Sequence, residues 1–246
     1  MKTSWPNWNA PQKPDQEYIR RMFDGLAGRY DIFTKLTGFG QAGRWRDEAL
    51  GTLRKDMRIL DIACGTGDLA LRAAEKTNGD ADIVGLDFSE NMLKVAERRF
   101  EKLGLKTQDR FRLVFKKAEE LPLEGEIFDL IVSGFALRNL YENIDRILQG
   151  AYASLKPGGR VSFLDLTEPA HPFLKKIWRF YMLTFVGFYG TLLFGKKYPV
   201  PYLPDSAKRF PPPAEFQAAL RRAGFGRVSA KGFLLGSVTL YQGTRE

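Results

Sequence analysis

The stretch Ile59-Leu60-Asp61-Ile62-Ala63-Cys64-Gly65-Thr66-Gly67-Asp68 limits what this chain can fold into more than any other. An apolar run carrying an acid gives way to a glycine-rich turn, and a helical pattern then begins. That order is a strand handing over to a helix. The first N–H groups of a helix lack intrahelical partners, so they face whatever lies at the end of the strand. A chain built this way carries a ligand site at the carboxyl edge of a sheet.

The alternation continues downstream. Arg58–Cys64, Ile83–Asp87, Phe111–Phe115, Phe128–Val132 and Arg160–Leu164 read as strands. Between them lie a helix over Asp68–Lys76 and a second capped by Ser89, with Met92, Leu93, Ala96, Phe100 and Leu103 on one face. A third runs through Ile144, Ile147, Leu148 and Ala151 and stops at Lys156-Pro157-Gly158-Gly159. Strands separated by helices imply an α/β fold with a doubly wound, Rossmann-like parallel sheet. Upstream, residues 1–14 read as a flexible arm. Pro14 and Asp15 open a helix with Tyr18, Ile19, Met22, Phe23, Leu26 and Ala27 at helical spacing. Leu36–Gly40 reads as a loop, and a second helix runs from Arg44 through Leu53. These helices precede the first strand and are expected to cover its ligand site. After strand five the rhythm breaks over residues 166–212, then resumes with a helix around Phe216, Ala219 and Leu220 and strands Arg227–Lys231 and Ser237–Gln242. The expected organisation is an arm with cap helices (1–56) and a ligand-binding domain (57–246) that carries an inserted lid (166–212).

Composition narrows the chemistry. Cys64 and His171 are the sole cysteine and histidine, which excludes a disulfide scaffold and a Cys/His metal site, so no metal is expected. Met1 to Pro14 holds no apolar core segment and reads as neither signal peptide nor anchor, so the expected location is cytoplasmic. The net charge of +9 points to an anionic surface, either nucleic acid or a membrane leaflet. An Asn/Asp-Pro-Pro-aromatic motif and an appended RNA-binding module are both missing, so no nucleic-acid partner is expected.

Two ligand classes use a strand–glycine turn–helix. Gly65-x-Gly67-x-x-Ala70 fits the dinucleotide fingerprint, whereas Asp61-x-x-x-Gly65-x-Gly67 fits S-adenosylmethionine (SAM). A carboxylate at Asp61 would repel a pyrophosphate and favours the amino group and sulfonium of SAM. Asp87 ends the second strand, where an acid accepts hydrogen bonds from ribose hydroxyls in either ligand. Lys117-Ala118-Glu119 follows the third strand, where adenine would lie. No Tyr-x-x-x-Lys hydride-transfer apparatus is present. The balance favours SAM.

These residues, with Phe135-Ala136-Leu137-Arg138-Asn139 and Leu155-Lys156-Pro157-Gly158-Gly159-Arg160, resemble the class I SAM-dependent methyltransferases. More narrowly, the chain resembles the UbiE family of menaquinone and ubiquinone biosynthesis C-methyltransferases. Tyr30-Asp31, Phe39-Gly40, Tyr202-Leu203, Ser206, Phe210-Pro211 and Ala223-Gly224-Phe225 support this from about residue 17 to the end. The glycine motif is widely shared, and the Leu-Arg-Asn motif is more specific. The resemblance implies a seven-stranded sheet with an antiparallel last strand, SAM as cofactor, and methylation of a ring carbon of a polyprenylated quinol. By position, Thr66, Asp87, Lys117 and Ala118 match the family's cofactor residues, Gly134 matches a further cofactor position, and Arg138 and Asn139 match residues near the reacting ring. Thr66, Asp87, Lys117, Ala118 and Gly134, with Asp61, Ala63, Gly65, Gly67, Phe88, Met92 and Glu119, make up the expected cofactor set, and Arg138 and Asn139 the expected catalytic pair. The chain departs from the pattern at Ala136 (usually Gly), at Asp165-Leu166-Thr167 (often Glu-Phe-Ser) and at a missing His before Arg44-Trp45-Arg46. It departs most over residues 170–200, which should contact the acceptor.

Arg138 is the expected catalytic residue, because a guanidinium stabilises a developing phenolate and orients a water for its proton. Asn139 would hold the ring oxygen or the arginine. The plainer alternatives are a salt bridge from Arg138 to Glu142 or Asp145, and an N-cap role for Asn139. Tyr30 and Asp31 are candidates to close over the site, and His171 reads as a loop residue. The apolar run Ile177–Phe194 has nearly the length of a membrane span. The following strands must rejoin the sheet, so the run cannot cross a bilayer. It is expected to be a lid at the membrane interface that accepts a prenyl tail, flanked by Lys175, Lys176, Lys196, Lys197, Lys208 and Arg209. The expected partners are therefore a polyprenylated quinol and the anionic inner membrane face, and a homodimer stands as a candidate assembly. The alternatives are a methyltransferase for another lipid-soluble acceptor, and a non-catalytic subunit that presents a quinone.

Overall fold

The computed structural model describes residues 15–104, 110–195 and 198–246. The predicted arm over 1–14 and the flanking residues Lys196 and Lys197 lie outside them. The centre is a seven-stranded sheet formed by β1 (Arg58–Ile62), β2 (Asp82–Asp87), β3 (Phe111–Phe115), β4 (Phe128–Gly134), β5 (Leu155–Leu166), β6 (Gly226–Phe233) and β7 (Val238–Thr244). Its order is β3-β2-β1-β4-β5-β7-β6. The first five strands pair in parallel, and β7 runs antiparallel between β5 and β6. This matches the expected fold. Strands buried on both faces read as continuous apolar runs. Leu60, Ile62 and Ile131 accordingly face one packed layer, and Ile59, Leu130 and Val132 the other.

The crossover helices α4 (Asp68–Lys76), α5 (Glu90–Lys102) and α6 (Ile144–Ala153) fall where the periodicity predicts them, and Ser89 caps α5 by accepting from Met92 N. Helix α10 (Pro213–Arg222) precedes β6. The order β3-β2-β1-β4 reverses direction at β1, and the crevice at that switch point is where such sheets bind ligands.

Three local expectations need correction. Residues Tyr30–Thr37 form a helix, α2, where Leu36 and Thr37 read as a loop. Tertiary contacts override the β-branched Ile32, Thr34 and Thr37: Phe33 packs on Phe194 and Tyr198, and the Tyr181 hydroxyl caps the last turn by donating to Thr37 O. Helix α3 (Ala42–Leu50) stops before Leu53 because Gly51 turns the chain at φ +59°. The Lys156–Gly159 punctuation lies inside β5, as a bulge between Leu155 and Arg160 that the C-terminal Arg245 pairs on both sides.

The segment between β5 and α10 is helical. Helix α7 (Pro172–Tyr181) runs through a π-turn (Met182–Val186) into α8 (Gly187–Phe194), and α9 (Tyr202–Arg209) follows. One side of this run is buried with α1 (Gln16–Leu26) and α2 in a third apolar cluster holding Met22, Phe33, Trp178, Met182, Val186 and Tyr198. Its other side carries Phe173, Ile177, Phe180, Phe188 and Leu192, each at least half exposed. The continuous helical run Pro172–Phe194 is long and apolar enough to cross a membrane, but β6 and β7 return to the sheet after it.

Candidate active site

At the carboxyl edge of β1 the chain reverses through Ala63 and Gly65, both in the left-handed region at φ +52° and +57°. Asp61, 1% exposed, accepts from Ala70 N in the first turns of α4. Burial, with the Asp87 carboxylate nearby, raises its pKa to about 8. Asp87 ends β2 and binds the turn from behind: its two oxygens accept from Gly65 N and Ser89 N at 2.8 Å. Burial outweighs these bonds and raises its pKa to about 6. Asp61, Ala63, Gly65, Thr66, Asp87, Phe88, Met92 and Gly134 line one cavity. Lys117, Ala118 and Glu119 line a slot beside it that also touches Ala63, Asp87, Phe88 and Leu140.

Gly67 departs from the expectation. It lines neither space, and a Cβ there would meet Ala96 at 3.2 Å and Phe100 at 3.3 Å, so its bare backbone lets α4 approach α5. The sequence reading also missed Arg46. This buried guanidinium lines the first cavity, pairs with Asp68 at 3.0 Å and lies over the Phe135 ring. Burial alone would raise the pKa of Asp68, but Arg46 and Arg99 hold it below the usual range.

A second cavity is bounded by α1, α2, α7, the π-turn and α9, and is mainly apolar. Phe23, Tyr30 and Phe135 line both cavities and form the wall between them. Phe135 sits in the left-handed region at φ +61°, a conformation that costs a bulky residue free energy and clusters at functional sites. The turn it starts presents Arg138 to the apolar cavity and Asn139 to the first.

Arg138 is only 4% exposed. Its partner is neither Glu142 nor Asp145 but Asp165 near the end of β5, which accepts from its Nη1 at 2.7 Å and its backbone N at 2.9 Å. Nε donates to Ser206 of α9, and Nη1 also to Phe135 O. Burial alone would lower the arginine pKa; the Asp165 carboxylate outweighs it and holds it above the usual value. Asn139 is not an N-cap: its Oδ1 accepts from the Tyr202 hydroxyl at 2.8 Å. The residue at the N-cap of α6 is Asn143, and its side chain donates to Glu119 instead. His171 is exposed just before α7 and lines neither cavity. A signal for Asp165 was present in the chain, since Asp61, Asp87 and Asp165 all stand at or next to the last residue of a strand.

A model of the ubiE/COQ5 methyltransferase family matches residues 12–245. The chain belongs to that family. Among its relatives, a protein of Rhizobium etli named ubiquinone/menaquinone biosynthesis C-methyltransferase UbiE is 35% identical over 247 residues, covering 99% of this chain and 95% of that one. One of the same name from Geobacter sulfurreducens is 36% identical over 231 residues, covering 93% and 89%. A solved SAM-dependent methyltransferase from Aquifex aeolicus superposes with a TM-score of 0.63 at 17% identity, covering 91% and 98%, which shows the shared fold. This ubiE/COQ5 family member is therefore a SAM-dependent methyltransferase, and the acid-rimmed cavity at the switch point is where its sheet would take such a cofactor.

Proposed function

We propose that this chain transfers a methyl group from SAM to a ring carbon of a polyprenylated quinol, in ubiquinone or menaquinone biosynthesis. The observation that carries the reading is the buried Arg138, whose guanidinium faces an otherwise mainly apolar cavity separated from the acid-rimmed one by a wall of aromatic side chains. The names of the relatives agree with it.

The residues fit the cofactor. Asp61 suits its ammonium and sulfonium charge, and Arg46 suits its carboxylate. Asp87 keeps free lone pairs for ribose hydroxyls. The slot of Phe88, Ala118 and Leu140 suits adenine, with Lys117 and Glu119 at its rim. Bound SAM supplies an electrophilic methyl group; the rest falls to the protein. In-line displacement depends on positioning and on the removal of water. An acceptor ring in the apolar cavity becomes nucleophilic at carbon when it loses a phenolic proton, so the reduced quinol is the substrate. Arg138 stabilises the phenolate and orients a water for the proton, and it stays charged itself. Asp165 and Ser206 hold the guanidinium in place, and Asn139 with Tyr202 holds the ring from the cofactor side.

The outward apolar face of α7 and α8 supports contact with a membrane surface, where prenylated acceptors reside. Lys176, Lys208 and Arg209 are exposed and form no ion pair among the described residues, which suits anionic lipid. Lys175 is paired with Glu168 and contributes less.

The test is incubation with SAM and either reduced demethylmenaquinone or the matching benzoquinol. A mass gain of one methyl group is expected. No product from either, despite SAM binding, would sink the reading.

A further inference from the structure

The exposure of its lining shows where the apolar cavity opens. Among the described residues that line it, Leu234 alone is exposed, at 46%. It begins the short turn Leu234–Gly236 that joins β6 to β7, and the next residue, Leu235, is 74% exposed. Both leucines lie in the left-handed region, at φ +46° and +57°. Bulky L-residues take that conformation at a cost, and a glycine or asparagine would make the turn without the strain and without the exposed hydrocarbon. Strain that persists at a cavity edge marks a side chain placed for use. A second turn reaches the same cavity. Thr37 and Gly38 line it, and Phe39 beside them is 61% exposed and also left-handed, at φ +50°. The start of α3 braces both turns: Phe233 stacks on Trp45 with ring centroids 6.2 Å apart, and Gly38 packs against Ala42.

We propose that these two turns form the doorway through which the isoprenoid tail of the bound acceptor leaves the cavity, with Leu235 and Phe39 lying along the chain outside it. The proposal rests on the prenylated-acceptor reading above and adds the route of the tail, which the outward face of α7 and α8 does not give. The cavity, about 890 Å³ with its open mouth, is of the size that takes a ring and its first isoprene units, so a longer chain has to pass out of it. An isoprenoid offers no polar atom, so only apolar surface can hold it, and leucines kept out of the core by a strained turn supply that surface. The rim is continuous with the apolar outside of the helical run, because Phe39 stacks on Tyr181 at 5.2 Å and Tyr181 on the exposed Phe185 at 5.8 Å. Lys35 and Arg44 flank the Phe39 turn, exposed and without an ion pair among the described residues. They suit the anionic headgroups that surround a chain returning to a bilayer.

The experiment uses full-length protein with bound S-adenosylhomocysteine and two photoaffinity probes, 1,4-quinols whose prenyl chain ends in a diazirine after a single isoprene unit or after several. After irradiation, mass spectrometry of peptides locates the adducts. The short probe should label the cavity lining. The long probe should label Leu234–Gly236 or residues 38–40, and excess unlabelled quinol should remove both signals. Long-probe adducts confined to Phe180, Phe188 and Leu192 on the outward face overturn the proposal. So do long-probe adducts confined to the lining, the result expected if a second copy of the chain seals the mouth. Wild-type protein should bind the long chain more tightly than the short one, and Leu235→Asp should lower that preference about fivefold. The ratio of the two affinities is not moved by a loss of folded protein. Leu235→Gly relieves the strain, so it should melt no lower than wild type and lose the preference as well. A lower melting temperature with the preference kept would make the leucine structural and overturn the proposal. Doorway adducts without methyl transfer to any quinol would remove the proposed reaction and leave the doorway standing.

Discussion

The two cavities share a wall and are built in opposite ways. The cofactor side is mostly backbone and short local motif: strand ends, left-handed turns, and carboxylates that brace the N–H groups of neighbouring loops. The acceptor side is mostly side chain, contributed by α1, α2, α7 and α9 and by the turns after β4 and β6. The first is held by directional bonds and the second by packing. A substitution on the cofactor side should therefore act as a switch, and one on the acceptor side should act by degrees.

The sharpest way to break this contrast is at Arg138, a polar anchor inside the packed half. Arg138→Met should lower kcat by about a thousandfold while leaving SAM affinity nearly intact, as turnover and calorimetry would show. It also leaves the buried Asp165 carboxylate without its cation, held by backbone N–H groups alone, which costs about 3–5 kcal/mol of stability by chemical denaturation. The double variant Arg138→Met, Asp165→Leu should recover much of that stability and none of the turnover; recovered turnover would make the pair structural only. Next in size, Asp87→Ala should weaken SAM binding by about a hundredfold or more, since it removes a charged acceptor and frees two N–H groups of the turn.

The pH dependence follows in size. Burial raises Asp61 to about 8 and Asp87 to about 6, so the SAM-free protein holds protons there that the unfolded chain releases near pH 4. Raised carboxyl groups contribute stability that is present at low pH and lost as pH climbs through their folded values. The SAM-free melting temperature should therefore fall between pH 5 and 8, apart from other titrations. A cationic ligand favours the ionised carboxylates, so SAM affinity should rise over the same window by up to about tenfold per pH unit. Calorimetry in buffers of different ionisation enthalpy would report the released protons; a flat profile would mean the acids are already ionised. Smallest, Phe180→Ser with Phe188→Ser should cut binding to anionic vesicles by about fivefold. Turnover of a short-chain quinol in solution should hardly change. Equal loss of both would assign the exposed face to folding instead.

The same division explains what the sequence disclosed. Asp61, Gly65 and Asp87 were legible because each acts within a few residues of a strand end, where spacing and geometry are tied together. Gly67 was legible as a necessary glycine but not as one that packs against α5, since that contact spans from turn to helix. Arg138 could be singled out, yet its partner Asp165 lies 27 residues away on another strand. No local periodicity encodes that distance. Helix α2 was invisible for the same reason, as its stability comes from Phe194, Tyr198 and Tyr181 far along the chain. The run Ile177–Phe194 read as uniformly greasy because it is apolar on two sides for two purposes, and hydropathy does not distinguish a face turned inward from one turned out.

Helix α1 lies across both chambers. Phe23 lines each of them, while Gln16 donates to Glu119 and Asp24 accepts from Ser89 on the cofactor loops. A displacement of this helix would therefore change the lining of both cavities at once. If the spent nucleoside and the proposed methylated acceptor both leave past this helix, one displacement, resisted by these two polar bonds, would free a water-soluble and a membrane-soluble product together.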